Sequence, residues 1–407
     1  MTSCKSSSLL LMTPSPRIII MLSLLSCGSL FMRYRMLRFI FLRFETIELA
    51  ILCVCLYAYV MYVAEECRPL LQGRHLESLD MSHAAAFDPP TFIDIGFSDI
   101  RKSKEFWTYK HKNFSLCAAQ GFRSYMEDRM HFMNDPNHNI SIFGIFDGHG
   151  GEFVSEYLET NFARAVRERL LRCYSGSGSI RKRSRIASIG WRHSDESLLS
   201  SDDDPISEAL VTEVHNIDDA ISRLDSSQTS LTGSTLIAAI VEQSRYLTVI
   251  SVGDSRAVAA DFHGRPFPLS DDHKPNDAAE TRRIKSAGGF VHFDGYVHRV
   301  QGILAVSRSF GDTQLKREGV LTAHPDVRRI DLVEQPLRFL IVGTDGFWDV
   351  VSNDEAVNFA SEYLKTHGGP ESPGRPDWHR VSTHLVRIAL ARRSTDNVSV
   401  LFIRLWN

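Results

Sequence analysis

Four aspartates stand where apolar runs begin or end. Ile140 to Phe146 runs into Asp147-Gly148-His149-Gly150-Gly151, and Tyr246 to Val252 runs into Gly253-Asp254-Ser255-Arg256. Arg338 to Thr344 runs into Asp345-Gly346-Phe347-Trp348-Asp349, and Asp396-Asn397 precedes Val398 to Ile403. Met126-Glu127-Asp128 closes a further segment that starts at Phe114. One Asp-Gly pair alone marks a turn. Several carboxylates at the mouths of core strands are different, because each costs on the order of several kcal/mol if it stays charged and unpaired. The basic residues close by in sequence, Arg123, Arg256, Arg299 and Arg308, are too few to pair them all. Bound metal is the simpler answer. An all-oxygen donor set without paired cysteines argues against zinc and for Mg²⁺ or Mn²⁺. Gly148 and Gly346 let the backbone approach an ion, and the Gly148 carbonyl is itself a candidate ligand.

The elements that must position these acids are short. Ile140 to Phe146, Ser234 to Val241, Tyr246 to Val252 and Arg338 to Val342 read as buried strands, from their brevity and β-branched content. Helical spacing appears over Phe153 to Leu171 and Ala278 to Ser286. Many strands without a regular βαβ alternation imply layered antiparallel sheets rather than a doubly wound fold.

The chain of 407 residues has room for one large domain with appendages. It is 43% hydrophobic and 23% charged, with a formal net charge of -3, which makes nucleic acid a poor partner. Five of seven cysteines crowd the N-terminal segment, leaving Cys117 and Cys173 beyond it, so a reduced intracellular domain is expected.

Residues 1–66 form an apolar N-terminal segment. Thr46 to Ala64 approaches the ~20 residues of a membrane-spanning helix and carries Tyr57, Tyr59 and Tyr62 for the interface. Arg33, Arg35, Arg38 and Arg43 precede it, which by the positive-inside rule would send the downstream domain away from the cytosol. The thiols and the metal chemistry place that domain in the cytosol instead, and the chemistry is given more weight. Residues 67–90 read as a linker and 91–407 as the catalytic domain. A polar insertion at 175–204 reads as a disordered surface loop, in which Ser184 and Ser188 follow arginines as basophilic kinases accept. His367 to Pro376 reads as a plain loop.

The blocks Gln120-Gly121-Phe122-Arg123, Met126-Glu127-Asp128, Phe146 to Gly151, Thr232-Gly233-Ser234-Thr235, Gly253 to Arg256, Leu304 to Arg308, Asp345 to Asp349 and Asp396-Asn397 stand in an order and spacing that resemble the type 2C metal-dependent serine/threonine protein phosphatases. The anchored N-terminus looks most like the membrane-anchored protein phosphatase 1L branch. The resemblance implies an α+β fold, a central sandwich of two antiparallel β-sheets flanked by helices on both faces. It implies hydrolysis of phosphoserine and phosphothreonine in proteins by a metal-activated hydroxide attacking phosphorus in line. By the same resemblance Asp147 bridges two Mg²⁺ or Mn²⁺ ions, with the Gly148 carbonyl on one and Asp345 and Asp396 on the other. Glu127 and Asp128 hold metal-bound waters, and Asp254 and Asp349 match a looser third site. Arg123 offers a planar fork to phosphate, and His149 is placed to protonate the leaving oxygen. A monomer is expected, with an endoplasmic-reticulum address resting on the anchored branch alone.

Rival readings remain open on sequence. Cys117 and Arg123 stand at the C-x₅-R spacing of cysteine-dependent phosphatases, although Leu116 and the following acids do not suit such a loop. A membrane-anchored scaffold on an inactive phosphatase fold is a second rival. A small phosphorylated molecule as substrate is a third.

Overall fold

The computed structural model describes residues 92–96, 106–111, 113–175, 204–367 and 380–405. One six-stranded sheet runs β1 (Ile93–Gly96), β4 (Arg129–Asp135), β5 (Ile140–Phe146), β8 (Leu236–Glu242), β9 (Tyr246–Val252) and β15 (Asp326–Asp331). A second six-stranded sheet runs β11 (Pro266–Pro268), β10 (Arg256–Ala260), β16 (Phe339–Gly343), β17 (Val398–Arg404), β3 (Phe114–Ala119) and β2 (Trp107–His111). Every neighbouring pair in both is antiparallel.

The strands are continuous apolar runs because both of their faces are covered. Along β5, Phe143 and Ile145 point into the core between the sheets, while Ile142 and Phe146 point outward onto helices. Along β17, Leu401 and Ile403 face the inter-sheet core, and Val398, Val400 and Phe402 face helices on the other side. The helices on the first sheet are α1 (Phe153–Ser175) and α2 (Pro205–Ser222), burying Leu158, Phe162, Val166, Leu210, Val214 and Ile217. Beside them lies one short turn, α3 (Ser226–Thr229). Those on the second sheet are α7 (Asn353–His367) and α8 (Val381–Ala391), burying Val357, Ala360, Leu385 and Val386. The result is four layers, helix–sheet–sheet–helix, as expected. The inter-sheet core is pinned by Phe114, Phe132 and Phe143, with ring centroids 4.4 to 4.9 Å apart.

Three smaller pieces sit on the sandwich. β6 (Gly148–His149), β7 (Gly233–Ser234) and β14 (Phe310–Gly311) form a short ribbon with β7 in the middle. β12 (Val291–Phe293) and β13 (His298–Val300) form a hairpin after α4 (Ala278–Ser286). The turns α5 (Thr313–Arg317) and α6 (Asp345–Trp348) complete the set.

Ile140–Phe146, Tyr246–Val252 and Ala278–Ser286 match their sequence readings end to end. The strand read as Ser234 to Val241 is corrected: Ser234 belongs to β7 in the ribbon, and β8 begins at Leu236. The expected membrane segment 46–64, the linker 67–90 and nearly all of the 175–204 insertion, with Ser184 and Ser188, lie outside the described residues. Among the described residues no helix is long and apolar enough to cross a bilayer.

Candidate active site

Asp147 leaves β5 with its backbone already held. Its carbonyl accepts from Thr235 N at 2.9 Å and from Ser234 Oγ at 3.1 Å. The chain then forms β6 against β7, with Gly148 opposite Ser234. A Cβ at Gly148 would lie 2.7 Å from both the Glu127 carbonyl and Ser155 Oγ, so the close approach of Glu127 requires glycine here.

The Glu127–Asp128 pair is fixed on every side. Glu127 N donates to Asn397 Oδ1 at 2.8 Å, and Gly151 N donates to Glu127 Oε1 at 2.7 Å. Asp128 Oδ2 accepts from Ser399 Oγ at 2.6 Å and from Thr344 Oγ1 at 3.3 Å. Asn397 also donates through Nδ2 to the carbonyls of Gln120 and Tyr125, at 2.8 and 3.1 Å. One side chain thus ties the loop carrying Arg123 to the Glu127–Asp128 segment and to the start of β17.

Asp345 opens α6 where β16 ends, and Asp396 precedes β17, the strand paired with β16. Gly346 lets these two segments close up, since a Cβ there would fall 2.0 Å from the Asn397 carbonyl oxygen. Asp254 follows Gly253, whose φ of 104° belongs to the left-handed side of backbone space. Asp254 is buried, while Asp349 is mostly exposed and accepts from Lys274 Nζ at 3.1 Å.

These acids raise one another. Burial, then Asp128, Asp345, Asp254 and Asp396, hold the Asp147 carboxyl well above the usual carboxylate range. Burial and Asp396 push Asp345 to about 6, and burial pushes Asp128 to about 7 against the pull of its Ser399 bond. Asp254 is raised too, by burial first and then by Asp345. The structure therefore brings Asp128, Asp147, Asp254, Asp345 and Asp396 into one electrostatic cluster, with Asp349 at its rim and Glu127 beside Arg123.

Compensating cations are scarce, as the spacing suggests. Arg123 Nη2 bonds Asp396 Oδ2 at 2.6 Å, and Lys274 serves Asp349. The other arginines are engaged elsewhere: Arg256 with Asp272, Arg299 with Asp294, and Arg308 with Glu280 and Asp326. A buried to half-buried set of mutually repelling oxygen donors with two cations at its edge fits hard divalent ions. As they stand, no three His, Cys, Asp or Glu side chains among the described residues are gathered closely enough to grip an ion.

His149 Nε2 lies 2.7 Å from Asp312 Oδ2. Asp312 was not among the sequence candidates, although Gly311-Asp312 repeats the Gly-Asp pattern of Gly253-Asp254 at the end of a strand. Asn397, Thr344 and Ser399 were also missed as supports, since nothing in their types reveals contacts made across the fold. Cys117 is corrected as a rival nucleophile. It is fully buried in β3, in the core under α8, and burial pushes its thiol up to about 12. A thiol so placed has no access to phosphate and almost no thiolate at neutral pH.

The family model described as protein phosphatase 2C matches residues 112–398. The chain is 32% identical over 379 residues to protein phosphatase 1L of Bos taurus, covering 92% of this chain and 94% of the relative. It is 35% identical to probable protein phosphatase 2C 59 of Oryza sativa subsp. japonica, over 72% of this chain and 75% of that one. Among solved structures it resembles a serine-threonine phosphatase 2C from Toxoplasma gondii, with a TM-score of 0.56 at 22% identity, over 77% of this chain and 99% of that chain.

Proposed function

The chain belongs to the protein phosphatase 2C family and is a serine/threonine protein phosphatase, and we propose that it acts on phosphoserine and phosphothreonine by metal-dependent, direct in-line hydrolysis. The observation that carries this reading is the largely enclosed cluster around Asp147, whose acids raise one another and lack enough cations. Asp147, Asp345, Asp396 and the Gly148 carbonyl would hold two Mg²⁺ or Mn²⁺ ions. Glu127 and Asp128 would hold their waters, and Asp254 and Asp349 a looser third ion. When bound, the ions supply Lewis acidity that makes a water nucleophilic near neutral pH and offsets charge building on the phosphoryl oxygens.

The chain's own groups do the rest. Arg123 is half exposed, so its fork is free to turn from Asp396 to the non-bridging oxygens of a phosphate. Ser399 and Thr344 hold Asp128 in place, and Asn397 holds the loop that carries Arg123. His149 keeps Nε2–H on Asp312, so the doubly protonated ring, which also carries a proton on Nδ1, is the form that would deliver that proton to the leaving serine or threonine oxygen and be left as the neutral imidazole. The intact acids argue against a scaffold on an inactive fold.

The apolar segment 46–64 supports a second element of the reading, a membrane tether with the catalytic domain in the cytosol. Likeness to the bovine relative over 92% of the chain extends upstream of residue 92. Fractionation of cells expressing the full chain, with and without residues 1–66, tests the tether. A full chain that stays in the soluble fraction would remove it, and the endoplasmic-reticulum address with it.

The catalytic reading is tested by phosphate release from a phosphothreonine peptide with Mn²⁺ and with EDTA. Activity that needs Mn²⁺, collapses in Asp345→Asn and persists in Cys117→Ser is the expected result. Activity indifferent to EDTA would overturn the mechanism, and folded but silent protein would favour the scaffold.

A further inference from the structure

The ribbon beside the metal-site strands has a register with a consequence for His149. Gly233 in β7 pairs with His149 on one side and with Gly311 on the other. The residue after Gly311 is Asp312, so the His149–Asp312 bond passes over Gly233. A Cβ at Gly233 would lie 2.1 Å from Asp312 Oδ2 and 2.5 Å from His149 Nε2. No residue but glycine leaves room for that bond.

Asp312 is held in its place from several directions. Its φ of 44° and ψ of 43° put a non-glycine residue in the left-handed region, which persists only where surroundings dictate it. Its N–H donates to the Thr232 carbonyl at 3.0 Å, and Ser309 Oγ donates to Oδ2 at 2.6 Å. Immediately before it, Gly311 N donates to Asp218 Oδ1 at 3.1 Å, and Lys316 Nζ donates to the same oxygen. Asp218 projects from α2, so this helix fixes the turn from behind through a buried ion pair.

From these contacts we propose that Asp312 is a positioning residue for His149, held in register by Asp218 of α2. The proposal rests on the proton-donor role given to His149 above. A carboxylate oxygen can only accept, so the Nε2 atom facing it must be the donor. That fixes the ring's rotation and directs Nδ1 away from Asp312, and the imidazolium is the form that carries a transferable proton on Nδ1 while Nε2–H stays on Asp312. Gly233, Ser309, Asp218 and Lys316 serve this one contact, although they are spread across three elements and the loop before β14.

The test uses the full chain with Mn²⁺ and two probes, a phosphothreonine peptide and p-nitrophenyl phosphate. An alkoxide needs a proton as it leaves, whereas p-nitrophenolate leaves without help. His149→Asn, Asp312→Asn, Ser309→Ala and the double variant His149→Asn/Asp312→Asn are compared for kcat, KM, melting temperature and Mn²⁺ half-saturation. The expected result for Asp312→Asn is a loss in kcat of about 10- to 100-fold on the peptide. KM should hold, the loss on p-nitrophenyl phosphate should be far smaller, and the double variant should be no worse than His149→Asn. Ser309→Ala should show the same pattern more weakly, and it keeps the test open if Asp312→Asn does not fold. Equal losses on both probes, or losses that track melting temperature or Mn²⁺ half-saturation, would reduce Asp312 to a structural residue. If His149→Asn separates the probes and Asp312→Asn does not, the positioning role alone is wrong. If His149→Asn affects both equally, the donor role falls and the positioning role falls with it.

Discussion

Arg123 and Asp396, 273 positions apart, meet at 2.6 Å, so the side chain assigned to phosphate rests on a carboxylate assigned to metal. Burial works against the Arg123 charge, but Asp396, with Glu127 and Asp147 behind it, raises the guanidinium pKa further. The arginine and an ion therefore compete for one carboxylate. Arg123→Ala should free Asp396, lowering the Mn²⁺ concentration needed for half-maximal binding. It should also lose charge-assisted bonds to phosphate worth about 1.5–3 kcal/mol, or about 10- to 100-fold in kcat/KM. Calorimetry with Mn²⁺ and peptide kinetics read the two effects separately. Weaker Mn²⁺ binding in the variant would show that the pair supports the ion instead of competing with it.

Metal should stabilise the fold as well as serve the reaction. Asp128 and Asp254 are buried, Asp147, Asp345 and Asp396 are half-buried, and the five repel one another, so binding to the folded state alone shifts stability by mass action. At 100 times the dissociation constant the gain is about 2.7 kcal/mol, several degrees in melting temperature for most domains. Asp345→Asn should melt near or above the wild type in EDTA, having lost one like charge, and should gain little from Mn²⁺. Thermal scans with and without Mn²⁺ check both points. A large Mn²⁺ shift in the variant would place the ion elsewhere.

Cys117→Ser should leave activity within about twofold of the parent while costing stability. The thiol sits at 0% exposure in the core under α8 with a side-chain hydrogen bond to Thr383, so the shorter, more polar hydroxyl fills the apolar site less well and must keep that one bond. The expected cost is about 1–3 kcal/mol. Alkylating reagents should not inactivate the native enzyme. Rapid inactivation that protects with phosphate would revive the thiol mechanism.

The parts of this molecule legible in its sequence are those governed by local pattern. β5 and β9 are seven-residue apolar runs closed by turn residues, and their ends fell where the pattern stops. The acids at those ends were legible because a charge after a buried strand has few structural uses. The break at Thr235 was hidden, since Ser234 and Leu236 serve different sheets with a single β-branched residue between them and no Gly or Pro to mark the change. Asp312 was hidden for another reason: its contact with His149 spans 163 positions and depends on the empty face of Gly233. Cys117 shows the reverse error, a spacing that looks chemical until the strand turns its side chain into the core.

The Glu280–Arg308 pair predicts how acid should loosen the α4 segment. Glu280 on α4 receives Arg308 through Nε at 3.1 Å and Nη2 at 2.9 Å, and Arg283 Nη2 at 3.0 Å. Arg308 also bonds Asp326 at 2.8 Å, which ties α4 to β15 of the first sheet. Burial raises the Glu280 carboxyl, but the Arg308 and Arg283 bonds outweigh it and hold the group down at about 2. A depressed carboxylate binds fewer protons folded than unfolded, so its contribution is complete above the ordinary pKa of 4.5. It is then lost as pH falls from there toward 2. Asp326, also depressed, by His273 and Arg308 against burial, acts with the same sign. Glu280→Gln should therefore destabilise the protein by about 3–5 kcal/mol at pH 7, the range for breaking a buried pair on one side. The difference from wild type should shrink as pH falls below about 4, because the wild type then loses what the variant already lacks. Urea melts at several pH values measure this. A gap that stays constant down to pH 3 would mean that Glu280 acts through packing rather than charge.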